Sequence, residues 1–121
     1  MAESTPTNLP GNSLTLTASA TITGGQLVAI SGNKTVAPAG AGSAAWIGVA
    51  GNDAASGAKV TVFNGHVHEV ASSGAIAAGA NVIAGAAGVV VTIGAETDFS
   101  KVVGIALSAA ASNKVLIKLA R

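Results

Sequence analysis

The stretch Trp46-Ile47-Gly48-Val49-Ala50 is followed, fifty-six residues further along the chain, by the similar stretch Val102-Val103-Gly104-Ile105-Ala106. Each places a glycine at the centre of a short apolar run in which most side chains are β-branched or aromatic. Side chains of these types fit the pleated surface of a sheet and lose rotamer freedom in a helix. Both stretches therefore predict β-strands, and their similarity predicts an internal repeat.

Further segments extend this repeat on either side. The runs Lys59-Val60-Thr61-Val62 and Lys114-Val115-Leu116-Ile117 match downstream at an offset of 55 residues, and short apolar segments match upstream at the same offset. We therefore predict two similar halves, at about residues 25–70 and 79–121. Neither half is large enough to bury a core alone. Together they are expected to close over one core as a small β-barrel or sandwich.

Short β-branched runs separated by glycine, asparagine, serine and alanine continue along the chain, so the fold is predicted to be mainly β. The predicted strands are Gln26–Ser31, Lys34–Ala37, Ala45–Ala50, Lys59–Phe63, His66–Val70, Asn81–Ala84, Val89–Ile93, Val102–Leu107 and Val115–Leu119. Gly32-Asn33 and Asn64-Gly65 predict hairpin turns, because asparagine and glycine tolerate the positive φ that such turns need. A turn or two of helix is expected at Asp53–Ser56 or Leu107–Ala111.

Alanine and glycine dominate the composition, with 27 and 16 of the 121 residues, while charged residues make up 9% and aromatic residues 2%. Valine, isoleucine, leucine and phenylalanine together number 31, which is enough for a small core. The chain has no cysteine, which excludes a disulfide framework and thiolate chemistry. This scarcity of chemically active side chains argues strongly against an enzyme.

The charge pattern argues against nucleic-acid binding. The six lysines and arginines are spread along the chain and the net charge is +1, whereas a nucleic-acid interface concentrates basic side chains on one face. Residues 75–93 carry no charge and are long enough to cross a membrane as a helix, but three glycines and Asn81 interrupt them and flanking anchors are missing. We therefore predict neither a nucleic-acid partner nor a membrane span.

Residues 1–20 differ from the rest of the chain because serine, threonine, asparagine and proline are frequent in them. Proline removes a backbone donor, and the polar residues favour turns over packed structure. We predict an extended N-terminal arm over residues 1–20, followed by a β domain over residues 21–121. Leu14 and Leu16 alternate with threonines, so the second half of the arm can pair as a strand where a sheet edge is available.

The two histidines of the chain are His66 and His68, and alternation along a strand would place both imidazoles on one face. Metal-binding barrels use this spacing, but a third ligand would have to come from Asp53, Glu96 or Asp98 elsewhere in the chain. We favour the alternative that both histidines lie on an exposed strand after a turn. Neither a metal nor any other cofactor is predicted.

No arrangement of residues indicates a catalytic site. Glu96 and Asp98 are neighbouring carboxylates, but they lie in a predicted surface loop and not across a cleft. Gly40 and Gly42 formally match a dinucleotide-binding motif, but a strand follows them where that motif requires a helix. Trp46 is either part of the core, which we favour, or an anchor at a subunit interface.

Gly25–Ile30 and the longer stretch Trp46–Val67 resemble the head-decoration, or capsid cement, proteins of tailed bacteriophages. The similar features are a Gly-x-Leu-Val start, an apolar strand centred on Gly48, a small-residue turn at Asp53–Gly57 and a strand pair that follows it. A serine-, threonine- and proline-containing N-terminal arm precedes them, as in that family. The similarity covers roughly residues 24–70, and the second half is similar through the internal repeat.

This resemblance implies a compact, β-tulip-like domain on the outer surface of the virion capsid. It implies that the protein binds the major capsid protein at three-fold or quasi-three-fold positions after capsid expansion, as a homotrimer, and stabilises the shell. The N-terminal arm is expected to add to this contact through Thr5, Pro6, Leu9, Pro10, Leu14 and Leu16. The alternative is another binding module, such as a head-fibre base or a surface glycan-binding β module. Glycan sites usually need aromatic platforms, and the chain has one tryptophan, two phenylalanines and no tyrosine.

Overall fold

The computed structural model describes residues 13–120, which form ten β-strands and two short 3₁₀ turns. The strands are β1 (Ser13–Ala18), β2 (Leu27–Gly32), β3 (Thr35–Pro38), β4 (Trp46–Ala50), β5 (Lys59–Phe63), β6 (Val67–Ala71), β7 (Asn81–Ala84), β8 (Val90–Thr92), β9 (Val102–Ala106) and β10 (Lys114–Leu119). The 3₁₀ turns are Ala86–Gly88 and Phe99–Lys101. The prediction of a mainly β fold is confirmed, because the nine predicted strands match β2 to β10 to within one residue at each end.

Strands β1 to β5, residues 13–63, form a closed barrel that we call the first unit. Its strand order is β1-β3-β2-β4-β5, and β1 closes the barrel by pairing antiparallel with β5 and parallel with β3. Strands β6 to β10, residues 67–119, form the second unit, a sheet in the order β6-β10-β9-β7-β8. The strand order of the second unit therefore matches that of the first five places earlier, except that β6 and β8 are edge strands where β1 and β3 are paired.

The second unit closes less completely than the first. In the first unit the parallel pairing of β1 with β3 includes Ala18 opposite Val36. The equivalent place in the second unit holds a single parallel bridge between Ser72 and Val90. The second unit is thus a five-stranded sheet that curves into a partly closed barrel, since this one bridge joins its two edges next to β6 and within β8.

The long connections also match between the units. In each unit an alanine amide donates a hydrogen bond of 2.9 Å to an isoleucine carbonyl oxygen: Ala54 to Ile22, and Ala110 to Ile76. These alanines lie in Asp53–Ser56 and Leu107–Ala111, which have no helical structure. The prediction of helical turns there is wrong, because the alanine amides bond to a distant segment of the chain and not to a preceding helical turn.

The two units are divided at a different place from the one that the sequence repeat indicated. The predicted first half runs to residue 70, but β6 pairs with β10 and belongs to the second unit. The hairpin predicted at Asn64-Gly65 is wrong for the same reason, since β5 and β6 lie in different sheets. Gly65 and His66 have positive φ angles of 66° and 61°. The turn therefore has the expected left-handed conformation, but it carries the chain from one unit to the next.

Part of the predicted N-terminal arm belongs to the first unit, which corrects the predicted boundary at residue 20. β1 pairs antiparallel with β5, from Ser13 opposite Phe63 to Thr17 opposite Lys59. Without β1, the edges of β3 and β5 would present unpaired backbone groups. Closing the barrel pairs both edges, which explains why this strand, in which polar and apolar residues alternate, is part of the sheet.

Two clusters of buried side chains form the core. One fills the interior of the first unit and comprises Ala18, Ile22, Val28, Val36, Ala50, Ala54, Val60 and Val62. The other joins the interior of the second unit to residues on the outside of the first unit. We call the first-unit residues of this second cluster the contact face: Leu27, Ala29, Ala39, Trp46 and Val49. The two units are therefore packed against each other through a shared apolar core.

Backbone hydrogen bonds fix the second unit against the contact face. The amide of Gly88 donates to the carbonyl oxygen of Ala39 at 2.9 Å, and the amide of Gly42 donates to that of Ala84 at 2.8 Å. Gly88 has a φ of 79°, and a Cβ atom there would lie 3.0 Å from the Cβ of Gln26. Glycine is required at position 88 because the left-handed backbone and the close approach of β2 both disfavour a side chain.

Candidate functional site

Trp46 lies in the core and not on the surface. Its side chain is 0% exposed in the single chain, as part of the contact face beneath the second unit. The alternative that Trp46 anchors a subunit interface is therefore wrong, because no part of the side chain is available to another chain. Its bulk is needed where the two units meet, since most of the surrounding core residues are valine and alanine.

The two histidines do not share one face of a strand. β6 begins at Val67, and His66 lies in the preceding turn in the left-handed conformation. Nε2 of His68 lies 2.9 Å from the carbonyl oxygen of Gly65, and its ring stacks on Phe63 with the ring centroids 6.0 Å apart. The geometry that motivated the metal-site alternative at His66 and His68 is therefore absent, and His68 instead packs against the connection between the units.

The predicted capsid-contact residues of the arm separate into two groups. Leu14 and Leu16 lie in β1 opposite Val62 and Val60 and are half-buried, and Leu16 packs against the interior of the first unit. They are barrel residues, so their assignment to a projecting arm is wrong. The other members of the set lie outside the described residues: Thr5, Pro6, Leu9 and Pro10.

Within residues 13–120 there is no cleft of a size to take a small molecule. The same part of the chain contains no group of three or more His, Asp or Glu side chains placed to hold a metal ion. Among the described residues, none of the helical segments has the length and apolar character to span a membrane. The remaining candidates for a functional site are side chains on the outer surface.

The loop between β8 and β9 is held in shape by its own carboxylates. Oε1 of Glu96 accepts hydrogen bonds from the amides of Thr97 and Asp98 at 3.1 and 3.0 Å. Oδ1 of Asp98 accepts from the amide and the hydroxyl of Ser100 at 3.0 and 2.6 Å. Nζ of Lys101 lies 3.3 Å from Oε2 of Glu96. These two carboxylates therefore bond to their own loop and do not converge on a substrate site.

The same hydrogen bonds shift the titration of both acids. The pKa of Glu96 is lowered, first by the hydrogen bond from the amide of Asp98 and then by the side chain of Lys101. The pKa of Asp98 is lowered by the hydrogen bonds from the hydroxyl and the amide of Ser100. Each bond favours the ionised carboxylate, which is the form that accepts without donating.

Acidification is expected to loosen this loop before it affects the barrels. A lowered folded-state pKa stabilises the loop fully above the ordinary carboxyl range, and this stabilisation is lost as the pH falls through the lowered values. In a ¹⁵N NMR titration, the amides of Asp98 and Ser100 should shift with midpoints below those of unstructured acids. The Glu96→Gln variant should remove the part of the Asp98 amide transition that follows Glu96, and Ser100 should keep the transition that follows Asp98. Midpoints at or above the ordinary values would contradict the assignment.

Several large apolar side chains are exposed on the outer surface, a feature that the sequence analysis missed. They are Ile30, Phe63, Val67, Phe99, Ile105, Leu107 and Leu116. Phe99 is 71% exposed in the loop that the carboxylates hold in shape. Val67 and Ile105 flank Lys118 on the outside of the second unit, where both are opposite it in the pairing of β10. Apolar side chains grouped on a surface indicate contacts with other proteins.

Two barrels of matching strand order, the second only partly closed, packed through one core and carrying exposed apolar side chains, define a class of small tandem β proteins that are suited to protein contacts. The chain belongs to the phage cement protein family, whose sequence profile matches residues 9–121. As a member of this family it is a structural, capsid-associated protein of the virion, located on the capsid exterior, and not an enzyme. The family resemblance predicted from the sequence is confirmed.

The fold is shared with a known virion protein. The crystal structure of the head fiber gp8.5 N base in bacteriophage phi29 matches with a TM-score of 0.71, over 89% of this chain and 92% of that chain, at 23% sequence identity. At this identity the similarity concerns the fold. No curated protein matches the sequence.

Proposed function

We propose that this protein binds the major capsid protein at three-fold and quasi-three-fold positions on the outside of the expanded capsid, as a homotrimer, and cements neighbouring capsid proteins together. The observation that carries the proposal is the family match over residues 9–121, which includes both units. A cement protein needs surfaces that bind other proteins, and it needs no catalytic residues. The exposed apolar side chains and the low content of charged residues, 9%, are consistent with that role.

The N-terminal residues that precede β1 are proposed to add to the capsid contact. This segment, residues 1–12, contains Thr5, Pro6, Leu9 and Pro10 and has few apolar groups of its own. A segment of this composition can gain order on binding by pairing with a sheet edge of its partner. Leu14 and Leu16 are not part of this segment, because they lie in β1 and pair with β5.

Two truncations should separate the arm from the fold. Removal of residues 1–12 keeps all ten strands, so the circular dichroism spectrum and the unfolding midpoint should be unchanged. Removal of residues 1–20 also deletes β1, which pairs with both β3 and β5. The barrel then has two open edges and an uncovered interior, so this shorter protein should be unfolded at 25 °C. Equal stability of the two truncations would contradict the assignment of β1 to the barrel.

Co-sedimentation with capsids tests the proposed function. The full chain should pellet with expanded capsids to a saturating number of copies and should not pellet with unexpanded capsids, which serve as the control. The truncation lacking residues 1–12 should bind expanded capsids at least about tenfold more weakly than the full chain. This is the loss expected when a residue that contributes strongly to an interface is removed. Failure of the full chain to bind expanded capsids would refute the proposal. Equal binding by the truncation would refute the role of the arm.

A second candidate is the base of a head fibre. It is favoured by the structural similarity to the head fiber base of bacteriophage phi29, which covers 89% of this chain. Both candidates place the protein on the capsid exterior, and they differ in whether a projecting domain is attached. Electron microscopy of native virions distinguishes them, since a cement protein gives compact knobs and a fibre base gives knobs that carry thin projections.

A further inference from the structure

Most of the contact face has counterparts at the same register positions of the second unit. The pairs across the two strands are Leu27–Val49 and Ala29–Trp46 in the first unit, and Asn81–Ile105 and Ile83–Val102 in the second. A bulge separates the two pairs in both units, so the positions are equivalent in strand pairing. Three of the four counterparts are apolar. We call Ile83, Val102 and Ile105 the open face.

The two faces differ in what covers them. The contact face is buried beneath the second unit, and Val49 is 3% exposed. Ile105, the counterpart of Val49, is 39% exposed, while Ile83 and Val102 are half-buried. The open face therefore keeps the apolar character of a surface that is covered in the other copy of the same structure.

The surface that covers the contact face also has an exposed counterpart. Ala84 of the second unit contacts the first unit through the hydrogen bond from Gly42, and it is 1% exposed. Ala84 pairs with Val90 in the same way that Ile30 pairs with Val36. Ile30 is therefore the first-unit counterpart of Ala84, and its side chain is 46% exposed.

The loop between β3 and β4, which completes the contact between the units, also has a counterpart in the second unit, the loop between β8 and β9. Gly42 lies in the loop between β3 and β4, which bonds to Ala84. The equivalent loop of the second unit lies between β8 and β9 and presents Phe99, while the charge of Lys101 is paired with Glu96 at 3.3 Å. The loop that corresponds to the Gly42 loop therefore carries a large apolar side chain, Phe99, with 71% of its surface exposed.

We propose that two copies of this chain bind head to tail, with the open face and Phe99 of one copy packed against the Ile30 edge of the next. The contact repeats between chains the contact that joins the two units within one chain. Each chain carries one surface of each kind, so the interface is heterologous and builds a closed ring where the rotation permits closure. Ile30 and Ile105 are both larger than the residues at the matching internal positions, Ala84 and Val49. The proposed function includes self-association as well as capsid binding. The head-to-tail contact rests on the self-association and does not depend on capsid binding.

The free protein in solution tests this contact, so its outcome is separate from that of capsid binding. Sedimentation equilibrium at concentrations up to about 1 mM should give a mass that is a multiple of the 11.4 kDa chain. Ile105→Lys and Ile30→Lys should each weaken association roughly thirtyfold or more, as expected for a residue central to an interface. Val67→Lys is the control, because Val67 is 44% exposed on the same sheet but lies on β6 outside the open face, with Lys118 of β10 between it and Ile105. It should associate as the unaltered chain does.

Mixing the two variants distinguishes head-to-tail contact from any symmetric pairing. The Ile105→Lys chain keeps an intact Ile30 edge, and the Ile30→Lys chain keeps an intact open face. Each variant alone should be monomeric at concentrations where the unaltered chain associates, and an equimolar mixture there should form one-to-one dimers that grow no further. Circular dichroism checks that both variants are folded. A monomeric unaltered chain, unchanged association of either variant, or a mixture that stays monomeric would overturn the proposal.

Discussion

Replacement of Gly48 by alanine is expected to lower the free energy of unfolding by about 3 kcal/mol, the upper range for forcing an extra group into a packed site. A Cβ atom at position 48 would collide with the carbonyl oxygen of Phe63 on the neighbouring strand and lie 2.9 Å from Cγ1 of Val62. A backbone oxygen cannot rotate away, so β4 and β5 would have to separate. Gly104→Ala should cost a similar amount, because its Cβ would meet the carbonyl oxygen of Lys118.

The matched control for both substitutions is Gly40→Ala. Gly40 is exposed, no atom lies within 4 Å of the position of a new Cβ, and its backbone is not left-handed. Its substitution should change the free energy of unfolding by less than about 0.5 kcal/mol. Urea denaturation followed by circular dichroism measures all three variants. If Gly48→Ala or Gly104→Ala were as stable as Gly40→Ala, the close packing of these strands would be refuted.

Replacement of Trp46 by alanine is expected to cost about 4 kcal/mol, in the range for a large aromatic side chain removed from a core. Trp46 is fully buried and belongs to the cluster that joins the two units. Because the cavity would open at the junction, both units should be affected. The unaltered protein should unfold in one transition, and Trp46→Ala should unfold at a lower midpoint, with the second unit losing structure first because its seam is less completely paired.

Unfolding of Trp46→Ala is followed by circular dichroism, since the variant lacks the chain's one tryptophan. The control is Phe99→Ala, measured on dilute protein, because Phe99 is an aromatic residue with an exposed side chain. Its stability should be within about 0.5 kcal/mol of that of the unaltered chain. A similar result for Trp46→Ala would mean that the two units are stable without a shared core.

The positions of the strands could be predicted from the sequence, while their assignment to sheets could not. β-branched runs bounded by glycine or asparagine mark strands locally, which is why β5 and β7 match the prediction to the residue. Pairing is decided by contacts between distant segments. Gly65 has the positive φ expected of a hairpin turn, but β6 pairs with β10, almost fifty residues away. The composition of residues 1–20 as a whole predicts an arm, and it does not show that β1 within this range closes the barrel.

The candidate binding surface could not be predicted from the sequence either, because contacts between distant segments decide which apolar residues are buried. Val49 and Ile105 are equivalent in the repeat and chemically similar, so no pattern distinguishes the buried residue from the exposed one. The difference arises because the first unit is covered by the second, whereas the described chain provides no third unit to cover Ile105. The burial of Trp46 could be predicted from the sequence, because a single large aromatic residue among small ones usually fills a core.

A cryo-electron microscopy reconstruction of expanded capsids saturated with the purified protein tests the central claim most directly. The account predicts additional density on the outer surface at the three-fold and quasi-three-fold positions, with three copies of the two-barrel fold around each axis and each copy in contact with the major capsid protein. Added density at other capsid positions, or none at saturating protein, would contradict it.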